Sequence, residues 1–308
     1  MALRIAVITS TEMPKLSVIV TAINGWPVLD RCLRGLQNQQ GGIDAEILVV
    51  GCAQPGLRER VAETYPGVKC LYHKERMTIP ALRSVGITQA SGEIIVITED
   101  RCAPSENWLG EIVRAYRTDY SVVGGPIEPN GIRGILNWAV YLCEYSSLML
   151  PMPEAEVGGL AGNNAAYRRE ALAEVPEQIK SEYWEYFLFE ELRKKGIKVL
   201  FSPTIVTRKN IDFSFRYFLG QRFHYSRSFA GMRRERVTPL HRLVYAAFTP
   251  ALPLLMTWRI AKPVLEKRRY VKELLLSLPL LCIFMGSYAA GEFAGYLFGP
   301  GRSLLKVE

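Results

Sequence analysis

The sequence is poor in the residues that build structural metal sites and disulfide frameworks. It has only three histidines, and its six cysteines are scattered over 308 residues without a C-x-x-C pair. A structural zinc site needs such ligands at close spacing, so none is expected. Scattered cysteines are typical of reduced thiols, and they indicate a cytosolic compartment.

Targeting and repeat signals are also missing. The first ten residues hold one basic residue and an apolar stretch too short for a secretory signal peptide. The sequence contains no internal repeat and no low-complexity tract. We therefore expect the first part of the chain to remain in the cytosol.

Apolar and basic residues, in contrast, are plentiful. Hydrophobic residues make up 49% of the chain, enough for a sizeable core, and the formal net charge is +8. This charge favours an anionic partner, which can be nucleic acid, a phosphorylated substrate or an anionic membrane surface. Because the basic residues cluster beside apolar segments rather than among aromatic ones, no nucleic-acid binding is expected.

Strand-like apolar runs alternate with helical periodicity through the first hundred residues. The predicted strands cover 16–22, 46–50, 68–72 and 94–98, and the predicted helices cover 28–39, 57–64 and 80–90. This alternation predicts βαβ units and an α/β fold with a mostly parallel mixed sheet. The fourth strand runs into Glu99 and Asp100, at the edge where such sheets bind ligands. Carboxylates there can hold Mg²⁺ or Mn²⁺, which bridges diphosphate oxygens.

Several motifs, taken in order, resemble those of the inverting family 2 glycosyltransferases, whose nucleotide-binding fold is called GT-A. The matching stretches are 17–24 for the opening strand, 80–87 with 90–93 for the Ala-Arg-Asn-x-Gly-Ile…Ala-x-Gly-Glu signature, 99–104 for the D-x-D segment, and 162–172 for the Gly-x-Asn-x-x-x-Arg-Arg stretch. The resemblance implies a GT-A glycosyltransferase domain over residues 1–232 that uses a nucleotide-sugar donor.

The resemblance also implies roles for individual residues. Glu185 lies eleven residues before Gly196, where the family has its general base. The alternative is that it is one more exposed acid in a helix, predicted over 182–195, that also carries Glu182, Glu190 and Glu191. The residues expected to bind the donor are Thr21, Ala22, Asn24, Arg83, Glu99, Asp100 and Arg101. Those expected on the acceptor side are Asn163, Asn164 and, from a stretch similar to the Q-x-x-R-W element, Gln221, His224 and Tyr225.

Three positions depart from the family pattern. Arg101 replaces the second Asp of the D-x-D segment, which is usually the metal ligand. Either Asp100 takes over ligation together with Glu99, or Arg101 itself pairs with the diphosphate oxygens. Gly51 replaces the acid that reads the nucleoside, and Ser84 replaces the Asn of the Ala-Arg-Asn signature. A bound Mg²⁺ or Mn²⁺ is therefore one of two alternatives.

Residues 233–308 are expected to form a membrane-associated helical region. They contain two nearly uncharged segments, 243–258 and 274–298, with a strongly basic stretch between them. Such a basic loop belongs on the cytoplasmic side of a membrane. Because the first segment is short and contains two prolines, we expect it to dip into the bilayer and return, and the second to span it. Two full spans are the alternative.

Small residues recur at four-residue spacing in the second segment, at Ser287, Gly291 and Gly295. This spacing lets helices approach closely. It predicts either a packed helix hairpin within one chain or a homodimer formed through these residues.

Together these features predict transfer of a sugar, with inversion, to a hydroxyl of a lipid-linked or growing glycan. The enzyme would lie at the inner membrane with its catalytic domain in the cytoplasm. One alternative is a polyisoprenyl-phosphate glycosyltransferase, whose acceptor is already ionised and needs no strong base. Another, suggested by Arg101 and Gly51, is a catalytically degenerate binding subunit.

Overall fold

The computed structural model describes residues 15–180 and 185–307. The strands of this part are β1 (Leu16–Ala22), β2 (Ala45–Cys52), β3 (Lys69–His73), β4 (Ile94–Glu99), β5 (Cys102–Pro104), β6 (Val122–Gly124), β7 (Ile127–Pro129), β8 (Ala155–Glu156), β9 (Ala165–Arg168), β10 (Val199–Phe201) and β11 (Thr207–Lys209). The helices are α1 (Trp26–Gln37), α2 (Leu57–Thr64), α3 (Ile79–Gln89), α4 (Trp108–Ala115), α5 (Ile135–Tyr145), α6 (Arg169–Ala173), α7 (Pro176–Lys180), α8 (Glu185–Lys194), α9 (Phe215–Arg234), α10 (Pro239–Phe248), α11 (Leu252–Lys267) and α12 (Val271–Phe298).

One large mixed sheet organises the first two thirds of the chain. Its strand order is β3-β2-β1-β4-β9-β6-β10-β8, in which β3, β2, β1 and β4 run parallel and β9 is antiparallel to both neighbours. A smaller sheet, in the order β5-β11-β7, begins just after β4. The predicted α/β class with a mostly parallel mixed sheet is confirmed. In the register of β1 and β4, Thr21 lies beside Glu99, so their carboxyl ends meet at one edge.

Local sequence explains most of the element boundaries. Helix α3 begins at the predicted place because the Thr78 hydroxyl accepts a hydrogen bond from the Ala81 amide, a standard N-cap. The extended segment over 122–129 is split into β6 and β7. A side chain at Gly125 would overlap the carbonyl oxygen of Ile205, and Pro126 has no N–H for a ladder bond. The first residues of the predicted helix over 182–195, including Glu182, lie outside the described residues.

The C-terminal helices pack on the sheet domain rather than extending away from it. The predicted boundary after residue 232 falls inside α9, and one hydrophobic core joins Tyr141 and Phe218 to Val264, Leu281 and Phe284. Two segments, 239–267 and 271–298, are long and apolar enough to cross a membrane by length and composition. The division into domains 1–232 and 233–308 stays a prediction.

Both ends of α12 contact the sheet domain. Just before the helix, Arg269 pairs with Glu128 of β7 at 2.9 Å. Just after it, the carbonyl oxygen of Leu305 accepts a 2.8 Å hydrogen bond from Arg76, which precedes α3. A helix that crosses a bilayer once has its ends on opposite sides. The packing therefore does not fit the expected single crossing by residues 274–298.

The small-residue stripe of α12 lies against α9 of the same chain. The Ser287 hydroxyl donates to the carbonyl oxygen of Leu219 at 2.8 Å. A Cβ atom at Gly291 would overlap the Phe223 carbonyl oxygen, and one at Gly295 would lie 2.6 Å from the carbonyl oxygen of Arg227. Ser287, Gly291 and Gly295 are thus used within one chain. The stripe packs on α9 rather than on the preceding apolar segment, and the homodimer stays a prediction.

Replacing Gly291 by Ala tests this close approach, because the new methyl group must push α12 away from α9. We expect the free energy of unfolding in detergent to fall by about 1–3 kcal/mol, as for other overpacked sites. Gly286 is the matched control, since it lies in the same helix and a Cβ atom there would meet no neighbouring element among the described residues within 4 Å. Gly286→Ala should be neutral or stabilising by up to about 1 kcal/mol. Equal effects of the two changes would contradict the packing.

Candidate active site

A cavity of about 560 Å³ opens at the carboxyl ends of β1 and β4. Its inner end is lined by Thr21, Asn24, Arg83, Glu99, Asp100 and Lys209, and its outer end reaches α9, α11 and α12. Of the residues expected at the donor, Thr21, Asn24, Arg83, Glu99, Asp100 and Arg101 all line this cavity. The strand-end location predicted from the sequence therefore coincides with a cavity.

Ala22 is the exception among the expected donor residues. It is fully buried, does not line the cavity, and its carbonyl oxygen accepts a hydrogen bond from the Gln54 amide at 3.2 Å. Its neighbour across the sheet, Gly51, has no room for a side chain, since a Cβ there would lie 2.5 Å from Leu57. A side chain at position 51 would therefore require Leu57 to move.

Glu99 lies at the end of β4 with both carboxylate oxygens engaged. One oxygen accepts from Arg83 at 2.9 Å, and the other accepts from Lys209 at 2.5 Å and from the Asn163 amide at 3.3 Å. Burial raises the pKa of Glu99, but the charges of Lys209 and Arg83 outweigh it and lower the pKa to about 2. Glu99 is therefore a compensated anion.

Asp100 holds the loop between β1 and α1. Its carboxylate accepts 2.8 Å hydrogen bonds from the Ile23 and Asn24 backbone amides and from the Asn24 side chain. Burial nevertheless raises the pKa of Asp100 above its usual value. Asp100 is thus committed to a structural role that positions Asn24 beside the cavity.

Arg101 turns away from the two acids. Its guanidinium lies 4.5 Å from the centre of the Phe213 ring, and Nη1 is 3.5 Å from the Asp212 carbonyl oxygen. It still lines the cavity. Its positive charge is therefore available to an anion bound in the cavity.

The inner end of the cavity does not fit a divalent cation. Mg²⁺ and Ca²⁺ sites use several oxygen ligands, and here the oxygens of Glu99 and Asp100 already accept hydrogen bonds from five other residues. Within residues 15–180 and 185–307, no three His, Cys, Asp or Glu side chains come together. The assignment of Glu99 and Asp100 as metal ligands thus finds no support in this geometry.

Glu185, the expected general base, lies in the same cavity. It is the first residue of α8, its side chain is 22% exposed, and its carboxylate pairs with Arg83. Gly162 makes this possible, because a Cβ there would overlap the Glu185 carboxylate. Arg83 therefore bridges Glu99 and Glu185 through its two terminal nitrogens.

The two neighbouring asparagines have different roles. Asn163 faces the cavity and donates to the Tyr145 hydroxyl at 3.1 Å as well as to Glu99. Asn164 is fully buried, accepts from the Trp108 indole at 2.8 Å, and donates to the carbonyl oxygens of Pro126 and Ile205. The expected acceptor-side placement of Asn164 is therefore wrong. It ties the end of β9 to α4 and the smaller sheet.

The stretch similar to Q-x-x-R-W presents an unexpected set of side chains. Gln221 and Tyr225 line the cavity as expected, but His224 does not, and its Nδ1 lies 3.2 Å from the Ser303 hydroxyl. Helical periodicity places Arg222 in the cavity instead, where it pairs with Glu144 at 2.7 Å. In this stretch, therefore, Arg222 and not His224 lines the cavity.

Lys209 is the main residue that sequence reasoning missed. It is 4% exposed, at the inward position of β11. Buried positions recur at Ile205, Thr207, Lys209 and Ile211, and this alternation could have indicated an inward lysine. Its partner Glu99 is 110 positions away, and no local pattern shows that contact.

The comparison with protein families identifies the chain. The model of glycosyl transferase family 2 matches residues 17–175, about half of the sequence. The chain belongs to glycosyl transferase family 2. The resemblance inferred from the motifs is thereby confirmed, and the match ends before Glu185, so it says nothing about the base.

Relatives of this family 2 chain share only part of its length. It is 32% identical over 132 residues to glycosyltransferase AglE of Haloferax volcanii, and 27% identical over 197 residues to N-acetylgalactosaminyltransferase 7 of Drosophila melanogaster. The matches cover 40% and 56% of this chain. The chain spans 43% and 32% of the length of these curated relatives.

A solved structure supports the GT-A fold over most of the chain. Mannosyltransferase PcManGT from Pyrobaculum calidifontis, in complex with GDP-Man and Mn²⁺, superposes with a TM-score of 0.54 at 20% identity. The superposition covers 95% of this family 2 chain and 78% of that protein. At this identity the likeness concerns the fold.

Replacing each asparagine by Ala distinguishes their roles. Asn164→Ala leaves the Trp108 N–H and two buried carbonyl groups without a partner, so we expect the free energy of unfolding to fall by about 1–3 kcal/mol or more. Asn163→Ala should lower the free energy of unfolding less. It should weaken nucleotide binding, because Glu99 loses one of the three side chains that donate hydrogen bonds to it. Chemical denaturation and titration calorimetry on both variants measure this. The reverse pattern would contradict the assignment.

Proposed function

We propose that this chain is an inverting glycosyltransferase that moves a sugar from a nucleoside-diphosphate donor to a hydroxyl group of a lipid-linked acceptor. The observation that carries the proposal is a continuous cavity that contains the strand-end residues, Glu185 and an apolar wall from α11 and α12. Donor, base and acceptor sites must meet in one space for such a transfer.

Glu185 is the general base in this proposal. The acceptor oxygen attacks the anomeric carbon while the bond from that carbon to the diphosphate oxygen breaks, and the electron pair leaves with the diphosphate. Glu185 accepts the hydroxyl proton. One displacement without a covalent enzyme intermediate inverts the anomeric configuration. Arg83 pairs with the Glu185 carboxylate and holds it in the cavity.

The outer part of the cavity suits a lipid. Leu252, Leu255, Met256, Ile260 and Met285 line it with apolar surface. A hydrated polysaccharide is not stabilised by contact with such a wall. An acyl or isoprenoid chain is stabilised, because its apolar surface is buried there. This favours the lipid-linked acceptor over a growing soluble polymer.

Arginines in the same part of the cavity support a second candidate acceptor. Arg233 and Arg259 line it beside the apolar residues, and guanidinium groups pair well with phosphate. They can bind the phosphate of a lipid-linked sugar, or a polyisoprenyl phosphate that is itself the nucleophile. Because such a phosphate is already ionised, the second reaction needs no strong base. The two candidates differ in their dependence on Glu185.

The membrane surface is proposed for the outer faces of α10, α11 and α12. Large apolar side chains are exposed along all three helices, with Leu254 at 80%, Leu240 at 70% and Phe248 at 68%. Because both ends of α12 contact the sheet domain, we place these helices in the plane of the bilayer interface. The catalytic residues then lie on one side, which the basic stretch makes the cytoplasmic face of the inner membrane.

Glu185→Gln tests the proposed reaction. With a hydroxyl acceptor, we expect kcat to fall about 10²- to 10⁴-fold while nucleotide-sugar binding is retained. Purified enzyme is assayed in detergent for release of the nucleoside diphosphate, with lipid-linked sugars and polyisoprenyl phosphates as acceptors. Glu191→Gln, a change in the same helix outside the cavity, is the control and should keep activity.

Three outcomes separate the candidate functions. If Glu185→Gln loses activity with lipid-linked sugars as acceptors, the hydroxyl acceptor is supported. Turnover only with polyisoprenyl phosphates, insensitive to Glu185→Gln, supports the second candidate. No turnover with any nucleotide sugar tried, together with no hydrolysis, would contradict both and favour a binding subunit.

Cysteine labelling tests the in-plane arrangement. Arg268→Cys lies at the turn before α12, and Lys306→Cys lies after the helix. Each is introduced into a variant in which the six native cysteines are replaced by Ser. In sealed vesicles with the catalytic domain outside, a membrane-impermeant maleimide should modify both positions. Asn38→Cys, an exposed residue of the sheet domain, is the positive control. Protection of one of the two test positions would support a single crossing instead.

A further inference from the structure

We propose that Lys209 supplies the fixed positive charge that binds the donor diphosphate, in the role that a divalent cation has in metal-dependent sugar transfer. This inference rests on the proposed glycosyl transfer and specifies how the site neutralises its anionic donor. It follows from where Lys209 lies and from the charges around it.

The backbone holds Lys209 next to the acidic turn. In the antiparallel pair of β11 and β5, Lys209 lies opposite Cys102, two residues from Asp100. Its side chain is 5% exposed, with Nζ 2.5 Å from Glu99 and 5.9 Å from the centre of the Tyr145 ring. Burial of a charge is costly unless it is paired, and Glu99 provides the pair. The ammonium is therefore fixed in position before any ligand binds.

The ammonium also faces the space that the donor would occupy. Lys209 lines the cavity together with Thr21 and Asn24. An ammonium has three N–H donors, and Glu99 accepts one of them. A second is directed at the Cys102 sulfur, a weak acceptor that lies 4.0 Å from Nζ. The third can bind a phosphate oxygen through a charge-assisted hydrogen bond.

The charges of the inner cavity also disfavour a divalent cation beside the lysine and arginine side chains. Arg83 and Lys209 pair with Glu99 and Glu185, and Asp100 accepts hydrogen bonds from the loop between β1 and α1, so all three carboxylates are engaged. A site that awaits Mg²⁺ or Mn²⁺ has an excess of carboxylate, which the ion neutralises. Here a divalent ion would approach Lys209 and Arg83 instead. Arg101, the residue that replaces the usual metal ligand, adds a further positive charge on the same cavity.

Nucleotide binding in the presence of a chelator tests the inference. Titration calorimetry uses UDP and GDP as probes, with the whole chain in detergent containing either EDTA or Mn²⁺. We expect the same Kd, within about twofold, in both buffers. Lys209→Met should raise Kd about 10- to 100-fold in both, as expected for loss of a charged hydrogen bond. Lys198→Met, at an exposed lysine 64% accessible, is the control and should bind like wild type.

Two further variants separate binding from folding. Lys209→Met leaves buried Glu99 with less compensation, so the double variant Glu99→Gln/Lys209→Met removes both charges together. It should unfold near the wild-type temperature and still bind the nucleotides weakly. Lys209→Arg keeps the charge and should recover most of the affinity. Equal affinity of the double variant and wild type would overturn the inference.

Metal dependence gives the other decisive outcomes. Loss of binding in EDTA with recovery in Mn²⁺ would overturn the inference, and if transfer also required Mn²⁺ the proposed function would still stand. Metal-independent binding that depends on Lys209, without any transfer, would support the inference and overturn the function. Absence of UDP and GDP binding in both buffers would overturn both.

Discussion

The buried carboxylate of Glu99 is the constraint on which the site depends. It lies at the end of a central strand, where an uncompensated charge would be strongly destabilising. Arg83 of α3, Lys209 of β11 and Asn163 before β9 approach it from three directions. Removing one partner of such a buried pair typically costs about 3–5 kcal/mol. One charge therefore fixes the relative positions of the large sheet, the smaller sheet and α3.

Arg83 extends this arrangement to the proposed base. Because it contacts both Glu99 and Glu185, the end of the donor site and the start of α8 are held by one side chain. Gly162 leaves the space that Glu185 needs. A diphosphate that draws Arg83 toward it would change the environment of the base. In the proposed reaction, the donor site and the base are thus linked through a single guanidinium group.

The C-terminal helices form one wall of the cavity. The close approach of α12 to α9 at Gly291 brings Met285 and Tyr288 to the cavity that Gln221 and Arg222 also line. The apolar core shared by α5, α9, α11 and α12 supports this wall. In the proposed arrangement, the same helices contact the lipid and line the cavity for the acceptor.

How much of the site could be predicted depended on how far apart in the sequence the interacting residues are. Motif order identified the family, and the end of β4 identified the strand-end cavity. Helical periodicity could have favoured Arg222 over His224 only if the buried face of α9 had been known. The buried role of Asn164 depended on contacts with Trp108, Pro126 and Ile205, which are far away in the chain. Neighbouring residues of one motif can therefore have unrelated roles.

The sequence by itself determined the alternation of strands and helices, the family and the acidic turn at Glu99 and Asp100, because these depend on local patterns and spacing. Only the tertiary structure decided what the acids do. It engaged Asp100 with the β1–α1 loop, placed Lys209 beside Glu99, and brought Glu185 to Arg83. The reason is physical: a carboxylate binds a metal, a backbone amide or an ammonium according to which group folding brings within hydrogen-bond distance.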